Sequence, residues 1–310
     1  MNELLYEEPY VKLFSYYTEK NQIRIGIEMK GKLYNFTQMF EFFKDMTGVP
    51  KSPELVFLQM MIELGIFNKA DILEIFNTVS NMRPLDDIQL PNDIRYDVPI
   101  SRPTKILCIG RNYLKHAEET GHDAPSEPMF FAKMPSAMSP HLGSIVLPEG
   151  VGRVDHEGEL ALVISKEGKN IAESKAFDYV AGYTVANDVT ARALQKSDTS
   201  IGHPWTRAKG FDTFLPIGPY LVPAGLIGDV QDLDISVKVN GEYRQRSSTS
   251  KMIFQIPRLI AHISKHMTLM TGDIICTGTP EGISELHEDD IVEVEVQELG
   301  KLISRVTAAK

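Results

Sequence analysis

Between residues 11 and 36 apolar and polar side chains alternate, which predicts two or three short antiparallel strands. Lys30-Gly31-Lys32 forms the turn between Ile23–Ile27 and Leu33–Phe36. From Glu54 to Ser80 the period changes. Leu55, Leu58, Met61 and Ile62, then Ile72, Leu73, Ile75 and Phe76, recur at three-to-four spacing, which predicts helix divided near Gly65. Pro84, Pro91, Pro99 and Pro103 follow. Prolines lack the backbone donor and restrict φ, so this stretch is predicted to be an extended linker rather than a packed element. A boundary near residue 100 separates a small N-terminal α+β domain, 1–100, from a second domain, 101–310.

The second domain opens with the apolar run Lys105–Ile109 and then Gly110–Glu119, which turns into a short helix. Further strands are predicted at 144–147, 160–164, 179–185, 235–239, 274–277 and 291–296. Asn240-Gly241 is a hairpin signal, because both residues tolerate the positive φ that a tight two-residue turn demands. Pro257–Lys265 reads as one helix with proline in its first turn. Many strands with few helices give an α+β, mainly β, catalytic domain. No internal repeat or low-complexity segment interrupts it.

Composition narrows the partners. The chain has 310 residues, 43% hydrophobic and 24% charged, as in an ordinary soluble globular protein. A formal charge of -10 with no basic stripe argues against nucleic acid and against an anionic membrane surface. No apolar run approaches the roughly 18 to 20 residues of a membrane span. Met1–Glu8 lacks the basic and apolar regions of a signal peptide, and Cys108 and Cys276, the two cysteines, each lie in an apolar strand-like run. A reducing, cytoplasmic location is therefore expected. A small acidic substrate stays compatible with this acidic chain if a metal and a few placed cations reverse the local field.

The strongest chemical signal is Glu157-Gly-Glu159, followed by Ala161 and Val163 on the same strand face, with Asp188 downstream in Ala186–Arg192. Ionised neighbours at the edge of a core repel and resist desolvation, so they need a cation, a shared proton or solvent. A third carboxylate favours the cation. All-oxygen ligation suits Mg²⁺ or Mn²⁺, and also Ca²⁺.

His116 and Glu119 are three apart, on one helical face, as a base and its orienting carboxylate would be; a polar surface helix would look the same. Lys209, in Trp205–Phe211, and Lys133, in Phe130–Ser136, have apolar surroundings that surface lysines usually lack, although each could snorkel. Arg207 and Lys209 share a face if that stretch is extended. Thr277–Gly282 offers backbone N–H groups and hydroxyls to an anion, or simply reverses the strand. The chain has no phosphate-cradling glycine motif and no Gly-x-Ser-x-Gly elbow.

Taken in order, Gly110-Arg-Asn-Tyr113 with His116 and Glu119, Glu157-Gly-Glu159, Asn187–Arg192 with Gln195, Trp205–Asp212 and Thr277–Gly282 resemble the fumarylacetoacetate hydrolase family over roughly residues 104–306. The resemblance implies a mixed β-sandwich roll, a homodimer and a Mg²⁺ or Mn²⁺ site on Glu157, Glu159 and Asp188. It implies His116 and Glu119 as a water-activating dyad and Lys209 as the catalytic lysine. Arg111, Lys133, Gln195, Thr277, Gly278 and Thr279 fall at substrate-binding positions, and neither ligands nor dyad depart from the pattern. The expected reaction is metal-dependent cleavage of a C–C bond in a 2-oxo or 2,4-dioxo acid, as in acylpyruvate hydrolysis. Oxaloacetate decarboxylation, dienoate isomerisation or hydration, and a non-catalytic structural or regulatory role are the alternatives.

Overall fold

The computed structural model describes residues 11–48 and 54–309, so the Met1–Glu8 segment lies outside the described residues. The alternating N-terminal stretch forms β1 (Val11–Tyr17), β2 (Ile23–Met29) and β3 (Lys32–Asn35), paired antiparallel. Lys30 and Gly31 both adopt positive φ, 53° and 75°, as a tight two-residue hairpin requires. The third strand stops one residue before Phe36, where helix α1 (Phe36–Thr47) begins. This helix lies between the stretches for which elements were expected, and its Phe36, Met39, Phe40 and Phe43 recur at helical spacing. Local capping fixes its ends: the Asn35 side chain accepts from the Gln38 N–H, and Gly48, at φ 67°, closes the other end on the Lys44 carbonyl. The expected helical region is divided as predicted into α2 (Leu58–Glu63) and α3 (Lys69–Met82), with Gly65 at φ 74° between them.

The proline-rich stretch departs from expectation. It is not an extended spacer, because Ile88, Ile94, Tyr96, Val98 and Ile100 are buried and β4 (Arg95–Asp97) pairs antiparallel with β1. Prolines remove donors only at their own positions, and the period-two run from Ile94 to Ile100 between them is a strand signal.

The rest of the chain supplies β5 (Ile106–Gly110), α4 (Leu114–Glu119), β6 (Met129–Lys133), β7 (Met138–Ser139), β8 (Ser144–Leu147), β9 (Val154–Asp155) and β10 (Gly158–Ile164). Next come β11 (Val180–Asn187), β12 (Thr190–Ala191), α5 (Arg192–Ser200), α6 (Thr206–Lys209), β13 (Leu215–Pro216) and β14 (Tyr220–Pro223). The last are β15 (Asp234–Val239), β16 (Glu242–Ser248), α7 (Ile256–His266), β17 (Ile274–Cys276), β18 (Ile291–Val296) and β19 (Gly300–Ala308). The fold is α+β and strand-rich, as expected. One sheet runs β3-β2-β1-β14-β11-β10-β17-β5-β6, with β4 also on β1, and a second runs β16-β15-β18-β19-β8.

Both faces of β10 are covered. Leu160, Leu162 and Ile164 pack with Val237, Val292 and Val294 of the second sheet. Ala161 and Val163 pack on the opposite face in a cluster with Cys108, Cys276, Ile62 and Leu13. The N-terminal strands thus continue the sheet that carries the candidate site, joined where Leu13 faces Leu221 across β1 and β14. Leu13 is fully buried at this join. Leu13→Ala should therefore destabilise the whole chain by roughly 3 kcal/mol, read as a lower urea midpoint for the same transition that reports on the second sheet.

Candidate metal centre and its cavity

The three predicted carboxylates meet. Glu159 is the second residue of β10, Glu157 lies in the short connection from β9, and Asp188 directly follows β11. Pairing of β10 with β11 sets Gly158 opposite Asn187, which brings the two segments into register. Two further bonds lock them: the Asp188 N–H donates to the Glu157 carbonyl, and the Glu157 N–H to Asn187 Oδ1, each at 2.8 Å. One oxygen from each carboxylate lies within 4.8 Å of the others, and all three side chains are buried.

Buried cations surround this acid. Lys209 Nζ donates to Glu157 Oε2 at 2.8 Å and to Asp188 Oδ2 at 2.7 Å. From behind, Lys133 Nζ donates to Asp188 Oδ1 at 2.6 Å and to the Val189 carbonyl at 3.0 Å. Arg192 pairs with Glu157 Oε1, and also donates to Asp155 Oδ2 at 2.8 Å and to Gln195 Oε1 at 2.7 Å. Neither lysine snorkels; each is fully enclosed with its ammonium on a carboxylate.

These pairs set the ionisation states. Burial opposes charge on Glu157, yet Lys209 and Arg192 outweigh it and hold the carboxyl well below the usual range. Burial likewise opposes charge on Lys209, and Asp188 and Glu157 raise it above the usual lysine range. Glu159 is different. Burial, then Asp188, Cys276 and Glu157, push its carboxyl well above the usual range. Among the described residues its donor is the Gly278 N–H, at 2.8 Å on Oε2.

This donor set fits a hard divalent cation. The lysines and Arg192 pair with Glu157 and Asp188, while Glu159 makes no ion pair among the described residues. Glu159, which pairs with no side-chain cation among the described residues, is the ligand such an ion would relieve most.

His116 and Glu119 lie together on α4, with His116 Nδ1 3.5 Å from Glu119 Oε2. Burial raises the Glu119 carboxyl, but His116 and the N–H groups of Gly282 and Ile283 bring it below its ordinary value. His116 lines a cavity of about 270 Å³ together with Arg111, Glu157, Asp188, Arg192, Gln195, Lys209 and Thr279. One opening therefore joins His116, Glu157, Asp188 and Lys209. Thr120 and His122, just after α4, and Thr199, Ser200 and Trp205 also line it.

Some residues sit otherwise than expected. Arg207 and Lys209 do not share a face, because the stretch is the helical turn α6. Arg207 is mostly exposed and donates to Asp198 at 2.8 Å, whereas Lys209 turns inward. The Thr277–Thr279 loop spends much of its donor capacity on the protein. Thr277 Oγ1 donates to Leu160 O, Thr279 Oγ1 to Gly158 O and the Gly278 N–H to Glu159. Only Thr279 of the three lines the cavity. Lys133 touches Asp188 rather than the cavity.

Arg192 and Asp155 were not singled out by the sequence. Arg192 follows Asp188 by four residues, and an arginine so close to a buried carboxylate was the available signal. Asp155 is fully buried between Arg153, at 2.6 Å, and Arg192. Asn112, fully buried in the Gly110–Tyr113 turn, binds the carbonyls of Thr277 and Phe254 and thereby ties the turn to the loop after β17.

A strand-rich scaffold that presents a buried Glu-Glu-Asp cluster beside a His-Glu pair defines a class that the comparisons identify. Residues 105–307 match the family Fumarylacetoacetate (FAA) hydrolase C-terminal, and the chain belongs to that family. It is 49% identical over 180 residues to the mitochondrial oxaloacetate tautomerase FAHD1 of Arabidopsis thaliana, covering 58% of this chain and 80% of that one. Fumarylpyruvate hydrolase from Pseudomonas aeruginosa, solved in complex with Mn²⁺ and pyruvate, superposes with a TM-score of 0.65 at 34% identity, over 71% of this chain and 93% of that one. Fumarylacetoacetate hydrolase from Exiguobacterium antarcticum superposes with a TM-score of 0.75 at 28% identity, over 96% of this chain and all of that one, and so includes the N-terminal strands and helices. Among the described residues no helix is long and apolar enough to cross a membrane.

The electrostatics of Glu159 give a test that needs no substrate. In metal-free buffer Glu159→Gln should raise the melting temperature by roughly 2 °C, because it removes a buried carboxyl without a cationic side-chain partner. Added Mn²⁺ should raise the melting temperature of the wild type by mass action and leave that of the variant nearly unchanged.

Proposed function

We propose that this protein is a divalent-metal-dependent enzyme that hydrolyses the C–C bond of an acylpyruvate, a 2,4-dioxo acid, to pyruvate and a carboxylic acid. The observation that carries this reading is the shared cavity: His116, backed by Glu119, opens onto the same space as Glu157, Asp188 and Lys209. The pyruvate named in the complex of the Pseudomonas aeruginosa relative supports it.

A divalent cation held by Glu157, Glu159 and Asp188 would bind the 2-oxo acid end and polarise its carbonyl as a Lewis acid. The chain's own groups do the rest. His116 takes a proton from water as the water oxygen adds to the distal carbonyl carbon, and Glu119 steadies the imidazolium that forms. The bond between C3 and that carbon then breaks, its electron pair passing to the pyruvate fragment as an enolate. Lys209, kept charged by its two carboxylates, offers positive charge to the oxygen where this negative charge develops. The imidazolium returns its proton at C3, and water is thereby divided between the two products.

The Arabidopsis thaliana relative favours a second reading, interconversion of the enol and keto forms of oxaloacetate. It needs an enolate of intact oxaloacetate, stabilised by the same groups, and a base at C3, but no water and no C–C cleavage. Decarboxylation of oxaloacetate would again pass through the enolate of pyruvate.

Mg²⁺- or Mn²⁺-loaded protein assayed with acetylpyruvate, fumarylpyruvate and enol-oxaloacetate separates these readings. Hydrolysis predicts stoichiometric pyruvate, and His116→Gln should lower kcat about 10²- to 10⁴-fold with little change in KM. Decay of the enol signal with no pyruvate from either acylpyruvate would replace hydrolysis by tautomerisation.

A further inference from the structure

Gln245 is the one fully buried residue of β16, the edge strand of the second sheet. Val237 pairs with Gln245 while Lys238 pairs with Tyr243, so Arg244 is the extra residue of a bulge, a distortion that re-aims the side chains beside it. The Gln245 amide is saturated. Its Oε1 accepts from the Gly158 N–H at 3.0 Å and lies 3.2 Å from His156 Nδ1, while its Nε2 donates to Thr279 Oγ1 at 2.8 Å and to the Pro280 carbonyl at 2.7 Å. These partners fix which way the amide points, because the Gly158 N–H can only donate and the Pro280 carbonyl can only accept.

The two ends of that amide hold different segments. Gly158 stands between Glu157 and Glu159, whereas Thr279 and Pro280 belong to the loop whose Gly278 N–H donates to Glu159. Thr279 Oγ1 in turn donates to the Gly158 carbonyl at 2.9 Å, so Gln245 and Thr279 together hold the N–H and the carbonyl of the residue between the two carboxylates. The second sheet comes close enough for this only because side chains are missing: a Cβ on Gly158 would lie 2.3 Å from Val237 Cγ2, and one on Gly282 would lie 2.1 Å from the Arg244 carbonyl oxygen. Glutamate in place of Gln245 would set its second oxygen against the Pro280 carbonyl. Methionine would leave the Gly158 N–H and the Pro280 carbonyl without that partner in a buried setting.

We propose that Gln245 is a positioning residue of the metal centre: its amide sets the spacing between the Glu157–Glu159 segment and the Thr277–Gly282 loop, and thereby the affinity for the divalent cation. This rests on the reading of the three carboxylates as cation ligands and is independent of which substrate the enzyme takes. Among the described residues Gln245 bonds to none of those carboxylates and does not line the cavity, so its effect passes through the backbone that carries them. Groups that orient ligands in this way govern metal affinity as strongly as many ligands do.

Metal-stripped full-length protein would be titrated with Mn²⁺, the free aqua ion being followed by electron paramagnetic resonance. Gln245→Met should weaken Mn²⁺ binding about 10- to 100-fold. Gln245→Asn keeps a buried amide but is one methylene shorter and cannot span both segments; it should weaken binding at least about threefold, and it keeps the test sound if the methionine variant fails to fold. Leu13→Ala, destabilised at the β1–β14 join, should bind Mn²⁺ as the wild type does. Wild-type affinity in folded Gln245→Met or in Gln245→Asn would overturn the proposal. So would an equal loss in Leu13→Ala, because affinity would then follow general stability. Absence of Mn²⁺ binding by the wild type would remove the metal centre itself, and the proposal with it. The hydrolytic reading falls separately, on the absence of pyruvate from both acetylpyruvate and fumarylpyruvate, and the Mn²⁺ affinities decide for or against Gln245 in either case.

Discussion

Burying three carboxylates at one point is the constraint around which this protein is built. Glu157, Glu159 and Asp188 arrive from two paired strands, and the pairing that gives the sheet its register also forces their charges together. The chain meets the repulsion with two enclosed lysines and one arginine, each drawn from a different part of the sequence. Lys133 comes from the edge strand β6, Lys209 from α6 and Arg192 from the start of α5. Electrostatic demand at the centre thus fixes where otherwise unrelated segments must sit. These cations pair with Glu157 and Asp188 and leave Glu159 without one, and its carboxyl is pushed up accordingly.

The same ion pairs carry the surroundings of the cavity. Arg192 couples Glu157 to Gln195, so the first turn of α5 is bound to the acidic cluster. At the far end of that helix Asp198 grips Arg207, and Arg207 belongs to the turn that delivers Lys209. Removing either partner of the buried Arg192–Glu157 pair leaves an uncompensated charge, so that bond defines geometry more than it adds stability.

Much of this was legible in the sequence, for physical reasons that differ by feature. Glu157 and Glu159 two apart, Asn240-Gly241 at a hairpin and Gly65 between helices are local rules, and local rules survive folding. Helix α1 was legible too, in Phe36, Met39, Phe40 and Phe43 at helical spacing between the Asn35 and Gly48 caps, but it directly follows a strand pattern that runs to Phe36. Strand β4 was hidden because prolines advertise an interruption more loudly than Ile94, Tyr96, Val98 and Ile100 advertise a strand. The roles of Lys133, Arg192 and Asp155 depend on partners tens of residues away, and no periodicity encodes such pairings. The fate of the Thr277–Thr279 donors was obscured in the same way, since β10 and Glu159 claim them only once the sheet is assembled.

Helix α5 is fastened at both ends, by Arg192 to Glu157 and by Asp198 to Arg207, while residues 201–204 between it and Trp205 are exposed. The Asp198–Arg207 pair ties the two ends of that short connection to each other. An exposed connection held in this way is one whose composition can drift at least cost to the chemistry. A lineage built on this scaffold can change the variable end of its substrate by rewriting a few surface residues, and keep the reaction it inherited.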